Sequence, residues 1–357
     1  MFASEQIFLL FGLRSAELRE NVSDPAENLL VVSIGCPAGV GPEVSVAAAA
    51  QTKVGTPVLV GDADTIAAAA DLVGVPRRRL LPFDGRAIAP GKIHVYACPP
   101  ELRARDRLPG KPSRRAGAAQ LAWIGAAYDL VRGRRGAALV TGPVSKLAIA
   151  RSGAKSARSF VGHTEWLCAR DGAKTGIMCF AGGRLVTSLV TTHVPIAEVP
   201  RRITARAVRD ATLGLSGLVR ALGKRRPRLA VCSLNPHAGE GELFGDEERR
   251  AIAPGIAAAR RSLGRDALVV GPVGAETAFR KTRAGEYDGV VAMYHDQATI
   301  PMKLVAFGEA VNVTMGLSMV RTSVDHGTAY DIAWQGRADE RGMLAAMELA
   351  FRLARRQ

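Results

Sequence analysis

The sequence predicts an α/β protein of two α/β/α domains with mainly parallel sheets. Three observations carry that prediction. The chain has 357 residues and is 48% hydrophobic, enough for two buried cores. Only 5% of residues are aromatic, while Ala, Gly, Val and Leu abound, a mixture that suits helices packed on a sheet better than a β-sandwich. Short apolar runs also recur along the chain and alternate with helical stretches.

The first run, Leu29 to Ile34, is continuously apolar, as expected of a parallel strand buried on both faces. It ends in the Gly-rich turn Gly35-Cys36-Pro37-Ala38-Gly39-Val40-Gly41-Pro42-Glu43, and an Ala-rich helix follows. Such turns let backbone approach a ligand closely. Further strands are expected at 57–60, 94–97, 137–141, 185–191, 229–233, 268–270 and 289–293, with helices at 116–132, 205–222 and 246–263. Residues 110–115 read as a loop. Residues 1–28 read as a poorly ordered extension outside the fold. Residues 29–150 with 310–357 read as the first domain, and 151–309 as the second. Ile7 to Leu13 is too short to span a bilayer and lacks a basic flank or cleavage site, so neither a signal peptide nor a membrane anchor is expected.

The formal net charge is +15. Much of the excess lies in scattered pairs and triplets such as Arg77-Arg78-Arg79 and Lys224-Arg225-Arg226, without interleaved aromatics. That pattern favours a solvated surface and attraction for an anionic substrate over nucleic-acid binding. The five cysteines include no CxxC pair, which points to a reduced, cytoplasmic setting.

In open α/β sheets ligands sit beyond the carboxyl ends of the strands. Four polar segments fall there: Thr141 to Lys146, Thr191-Thr192-His193, Ser233 to His237, and Tyr294-His295-Asp296-Gln297. The chain has six histidines. His94 lies inside an apolar strand and reads as structural. His193, His237 and His295 sit at successive strand ends, which makes a shared cleft plausible. Neutral imidazole suits a divalent ion with an open position. Their spacings of 44 and 58 residues exclude a local zinc motif.

Several longer motifs accompany these residues in order. They are Gly162-His163-Thr164-Glu165, Asn235 to Gly245 (NPHAGEGELFG), Tyr294 to Gln297, Val311 to Leu317, and Arg321 to Ala329. Together they resemble the 4-hydroxythreonine-4-phosphate dehydrogenase family of pyridoxal phosphate biosynthesis, from about Leu29 to the C-terminal end. The resemblance implies an isocitrate/isopropylmalate dehydrogenase-like fold with an active-site cleft between the domains. It implies one divalent metal ion on His193, His237 and His295, and a homodimer whose active site is shared between subunits. It further implies substrate contacts at His163, Thr164, Lys303, Asn312 and Arg321, the last three spaced nine residues apart. Lys and Arg there suit carboxylate or phosphate.

The cofactor is a separate question. No GxGxxG follows any strand, and Gly239-x-Gly241-x-x-x-Gly245 is too long for a dinucleotide fingerprint. His326-Gly327-Thr328-Ala329-Tyr330-Asp331 resembles instead the nucleotide loop of isocitrate and isopropylmalate dehydrogenases. NAD or NADP is therefore expected at His326, Gly327, Thr328, Ala329 and Asp331. The plainer alternative is a turn with Asp331 capping a helix.

The expected reaction is oxidation of a phosphorylated hydroxy acid, 4-phosphohydroxy-L-threonine. Decarboxylation of the 3-keto acid then gives 3-amino-2-oxopropyl phosphate. The metal polarises the reacting hydroxyl and the developing enolate. Asp296 is a catalytic candidate, or orients the ligand beside it. Imidazole ligands favour zinc or cobalt, and admit manganese or magnesium. Three positions depart from the family pattern: Cys36 stands where Asp is usual, Ala298-Thr299 where Gly-Leu is usual, and Ser318 where Pro is common. They keep open a sister dehydrogenase for 4-phospho-D-threonate, its erythronate counterpart or a cyclic dihydrodiol dicarboxylate. Remoter alternatives are a three-histidine metallohydrolase and a basic nucleic-acid-binding protein.

Overall fold

A computed structural model describes residues 28–85 and 88–356. The expected extension at 1–28 therefore lies outside the described residues, apart from Asn28. In chain order the strands are β1 (Leu29–Ser33), β2 (Thr56–Gly61), β3 (Leu80–Pro82), β4 (Ile93–Ala97), β5 (Ala138–Thr141), β6 (Ile177–Gly182), β7 (Leu185–Leu189), β8 (Arg228–Cys232), β9 (Leu268–Val273), β10 (Gly289–Ala292), β11 (Val311–Met315) and β12 (Val320–Val324). The chain divides into two compact units. One is Lys174–Gly316. The other holds the described residues up to Ala173 and those from Leu317 onward, so residues 151–173 pack with the N-terminal part.

In the unit formed by the two ends of the chain, the strand order is β3-β4-β2-β1-β5-β12. Every pairing along it is parallel. From β1 the chain first goes to one side, through β2, β3 and β4. It then crosses to β5 on the other side. The carboxyl ends of β1 and β5 thus flank a topological switch point, the favoured place for a ligand. Leu29, Leu30 and Leu139 on the strands are fully buried, as are Trp123, Ile124 and Tyr128 on the helix Arg114–Val131. That helix begins at Arg114, inside the segment expected to be loop, because Ser113 caps it by accepting from Ala116 N at 3.0 Å. His94 is structural: its Nε2 accepts from Ala89 N at 3.1 Å inside the core.

The unit Lys174–Gly316 has the order β11-β6-β7-β10-β8-β9. Here β7, β10, β8 and β9 pair in parallel, while β6 is antiparallel to both β7 and β11. β10 shows why the parallel part reads as continuous hydrophobic sequence. Val290 joins one core cluster with Met178, Phe180 and Met302, and its neighbour Val291 joins another with Val208, Leu215 and Ile256. Successive side chains point to opposite faces, so a strand covered by helices on both sides must be apolar throughout. The β6–β7 hairpin was missed in the sequence. Its two-residue turn, Gly183-Arg184, has φ of 54° and 67°, the positive values a type I′ turn requires. A Cβ on Gly183 would lie 2.8 Å from Val305 Cγ1. No helix among the described residues is long and apolar enough to cross a membrane.

Candidate active site

Within the unit Lys174–Gly316, β7, β10 and β8 are consecutive parallel neighbours, so their carboxyl ends share one edge. His193 follows β7, His295 follows β10, and His237 follows β8. Backbone and side-chain bonds lace these ends together. Thr191 donates both N–H and Oγ1–H to Met293 O, at 3.1 and 2.8 Å. Gln297 accepts from Met293 N at 2.7 Å and donates to Ser233 O at 3.0 Å, tying the end of β10 to the end of β8. The His193 and His295 rings stand 5.6 Å apart, tilted by 40°. That separation is compatible with one ion bound at about 2.0–2.1 Å from each nitrogen.

His237 is exposed on a turn of unusual backbone, with φ of 52° at His237, 55° at Ala238 and 43° at Glu240. Non-Gly residues adopt such angles only where surroundings impose them. Glu248 is one source of that constraint. It is buried, and its Oε1 accepts from Leu234 N and Asn235 N, each at 2.8 Å. Its Oε2 accepts from Asn235 Nδ2 at 2.9 Å, and Glu247 accepts from the same amide at 2.7 Å. Among the described residues no three His, Cys, Asp or Glu groups already stand together as a metal-ligand set. The donor chemistry fits a divalent ion nonetheless: three imidazoles leave adjacent strand ends, and two have converged. Asp296 is exposed and meets His295 Nδ1 through Oδ1 at 2.7 Å. Lys303 is exposed on the helix His295–Ala306 that His295 begins. Asn312 lies on β11, and its Oδ1 is buried without a hydrogen-bond partner among the described residues.

The other substrate candidates belong to the other unit. Arg321 on β12 is 2% exposed and donates to Thr141 Oγ1 on β5 at 2.6 Å. Burial pushes its guanidinium down to about 10, opposed by Glu165 and Cys168. A charged group so poorly solvated is costly to keep unless an anion meets it. His163 and Thr164 open the helix His163–Asp171. Burial, then Arg321 and Lys146, hold His163 well below the usual imidazole range, so it is neutral at pH 7. Its Nε2 is buried with no hydrogen-bond partner among the described residues.

The segment 326–336 forms turns, and the next helix starts only at Arg341, so Asp331 caps no helix. This loop is shaped on the first Gly-rich turn. Val40 N donates to Thr328 O at 3.0 Å, and Trp334 Nε1 donates to Pro37 O at 2.8 Å. The buried carboxylate of Glu43 accepts from Trp334 N and, at 3.0 Å, from Gly336 N. Glycine is required at Gly39, where a Cβ would sit 2.7 Å from Thr328 O. Cys36 is fully buried at the switch point, its Sγ 3.6 Å from Tyr330 Oη. Burial raises the Cys36 thiol. The Tyr330 hydroxyl and the backbone N–H groups of Ala38, Gly39 and Ser145 oppose the rise.

In the sequence Thr141 stands out only as the start of a polar strand-end segment and Glu43 only as the end of the Gly-rich turn, neither with a role of its own, and Glu248 does not stand out. The acidic run Asp246-Glu247-Glu248 right after NPHAGEGELFG was a usable signal for Glu248. Nothing local in the sequence marks Thr141 as the partner of Arg321.

Residues 53–350 match the family described as pyridoxal phosphate biosynthetic protein PdxA. The 4-hydroxythreonine-4-phosphate dehydrogenase of Desulfosudis oleivorans is 42% identical over 330 residues, covering 90% of this chain and 95% of that protein. The crystal structure of 4-hydroxythreonine-4-phosphate dehydrogenase from Klebsiella pneumoniae is 34% identical, with a TM-score of 0.77 over 92% of this chain and 99% of that one. A terephthalate 1,2-cis-dihydrodiol dehydrogenase structure from Burkholderia xenovorans is 31% identical, with a TM-score of 0.63 over 91% and 97% of the two chains. On the family match and the extent of this likeness, the chain belongs to the pyridoxal phosphate biosynthetic protein PdxA family.

Proposed function

We propose that this chain is a metal-dependent, NAD(P)-linked dehydrogenase that oxidises 4-phosphohydroxy-L-threonine, with decarboxylation to 3-amino-2-oxopropyl phosphate. The observation that carries the reading is the exit of His193, His237 and His295 from the carboxyl ends of three adjacent parallel strands, in a member of this family. Those imidazoles would hold one divalent ion, with zinc or cobalt best suited to the donors. When bound, the nicotinamide would take the hydride from the carbinol carbon, and the ion would polarise the hydroxyl on that carbon, which loses its proton.

The chain's own residues do the rest. Asp296 accepts from His295 Nδ1 and leaves Nε2 for the ion. His163 is neutral and offers a hydrogen bond without adding charge. Arg321, braced by Thr141, meets an anionic group of the substrate, with Thr164, Lys303 and Asn312 as further contacts. The loop at His326, Gly327, Thr328, Ala329 and Asp331 takes the dinucleotide, supported by its moulding on the Gly-rich turn. The protein works as a homodimer with a shared site. An apolar stripe supports this: Ile300, Leu304 and Phe307 are 59%, 82% and 81% exposed beside Lys303. Five unpaired cysteines suit a cytoplasmic setting.

A second reading has a specific observation behind it. Cys36 puts a neutral thiol at the switch point, and a dihydrodiol dehydrogenase shares this architecture, which favours a sister substrate. The test is NADH formation with 4-phosphohydroxy-L-threonine beside 4-phospho-D-threonate, with and without chelator. Chelator-sensitive turnover of the first compound alone is expected. Turnover of only the second would move the assignment to the sister activity, and turnover unaffected by chelator would end the metal reading.

A further inference from the structure

Lys146 and Glu165 converge on one point that neither the strand-end histidines nor the nucleotide loop uses. The helix His163–Asp171 starts at Gly162, with no side-chain cap on its first turn. A Cβ built on Gly162 would lie 2.8 Å from Glu165 Oε2 and 3.7 Å from Lys146 Nζ. The ammonium and the carboxylate therefore both hang over the Gly162 α-carbon. The next residue is His163, whose Nε2 is buried and unpartnered among the described residues. Lys146 and Arg321 both act on that imidazole, in the same direction. An ammonium and a helix start thus lie beside a single carboxylate, next to an orphan imidazole nitrogen on which Arg321 also acts.

We propose that Lys146 is a further contact for an oxyanion of the substrate, and that Glu165 is the resident carboxylate that occupies this place until the oxyanion arrives. The inference rests on the reading of His163, Thr164 and Arg321 as substrate contacts. Helix starts favour negative charge through their aligned N–H groups. Glu165 supplies that charge in the first turn when no ligand is present. A phosphate or carboxylate entering beside it meets like charge, and Glu165, being exposed, turns out into water at little cost. Lys146, which lies near Glu165 without an ion pair to it, then turns to the entering anion. Arg321, buried and braced, sets the position of the ligand, while the exposed Lys146 on its flexible stem follows it.

Binding of inorganic phosphate and, separately, of glycolate to the full chain tests this by calorimetry, with the His163 imidazole followed by NMR. The two probes distinguish a phosphate site from a carboxylate site. For the better probe, Lys146→Met is expected to weaken binding at least tenfold and to raise the His163 pKa. Glu165→Gln is expected to tighten binding several-fold. Arg321→Lys and His163→Asn, chosen to keep the fold, serve as references for the substrate site itself. If the references weaken binding and Lys146→Met does not, Lys146 is no contact and only the substrate reading stands. If Glu165→Gln binds no more tightly than wild type, the resident-carboxylate part is wrong. If wild type binds neither probe, or the references bind as wild type does, both readings fall.

Discussion

The carboxylate of Asp296 lies 2.7 Å from Nδ1 of His295, while Thr299 Oγ1 stands off at 3.5 Å. The close pairing assigns the Nδ1 proton to the bond with Asp296 and leaves Nε2 as the basic nitrogen. Asp296→Asn keeps the shape and removes the charge. Metal affinity, measured by competition with a chromogenic chelator, should fall about 10–100-fold. Turnover at saturating metal should then recover if Asp296 orients the ligand. A deficit that persists at saturating metal would instead give Asp296 a proton-transfer role.

The environment of His163 makes stability depend on pH in a definable window. Burial, Arg321 and Lys146 depress its folded-state pKa well below the ordinary 6.5. Between the depressed value and 6.5 the unfolded chain binds a proton that the folded chain refuses. Stability is therefore fully present above 6.5 and declines as pH falls, by at most about 1.4 kcal/mol per pH unit from this group. His163→Asn should flatten that slope in urea denaturation at pH 7 and 5.5. An unchanged slope would show that His163 titrates normally.

Glu248 should matter to the metal although it ligates nothing. It satisfies the backbone N–H groups of Leu234 and Asn235 and, with Glu247, the Asn235 side chain. Glu248→Ala leaves the two part-buried backbone donors without this acceptor, while Asn235 Nδ2 keeps Glu247, a loss of about 1–3 kcal/mol. The left-handed backbone at His237 and Ala238 should relax with it. We expect weaker metal binding, while Glu248→Gln, which keeps one acceptor oxygen, retains part of the affinity. Equal metal affinity in wild type and Glu248→Ala would detach the turn from the site.

The exposed stripe of Ile300, Leu304 and Phe307 repeats at helical spacing. If it is the dimer contact, Leu304→Glu places a charge in the buried interface. Light scattering coupled to gel filtration should then show a monomer where wild type gives a dimer. A Leu304→Glu dimer at micromolar concentration would remove the stripe from the interface.

Much of this arrangement was legible because its signals are local. The run LLVVSI ending in a Gly-rich turn announced β1, and histidines immediately after apolar runs announced three strand ends. The β6–β7 hairpin was missed because Arg184 occupies a left-handed position that Asn or Gly usually marks. The bond between Arg321 and Thr141 joins residues 180 apart in sequence. It depends on β12 returning to lie beside β5, a pairing that no window of sequence contains. The same holds for Glu43, whose carboxylate shapes a loop that begins almost 300 residues later.

Cys36 gives the sharpest test of how this chain departs from its family. The thiol is enclosed, and four donors surround it: the Tyr330 hydroxyl and the N–H groups of Ala38, Gly39 and Ser145. Such a cluster of donors suits an anionic acceptor, yet sulfur is a weak one. Tyr330, pushed up to about 12 chiefly by its own burial, stays protonated and able to donate. Cys36→Ala removes the sulfur acceptor, but Gly39 N still donates to the backbone oxygen of residue 36 and Ser145 N to Gln120 Oε1, so the cost should be only about 0.5–1.5 kcal/mol. Cys36→Asp brings a carboxylate whose folded pKa these donors depress. It should therefore stabilise the fold at pH 7, with the gain lost as pH falls through that depressed value. Denaturation at pH 7 and at about pH 2.5, below the ordinary Asp value of about 3.9, checks both the order and the sign. If Cys36→Asp is less stable than Cys36→Ala at pH 7, the turn does not accept an anion. The usual carboxylate of the family could not then simply be restored here. If the order holds, substrate preference measured on the same Cys36→Asp protein shows whether the missing carboxylate also selects the hydroxy acid.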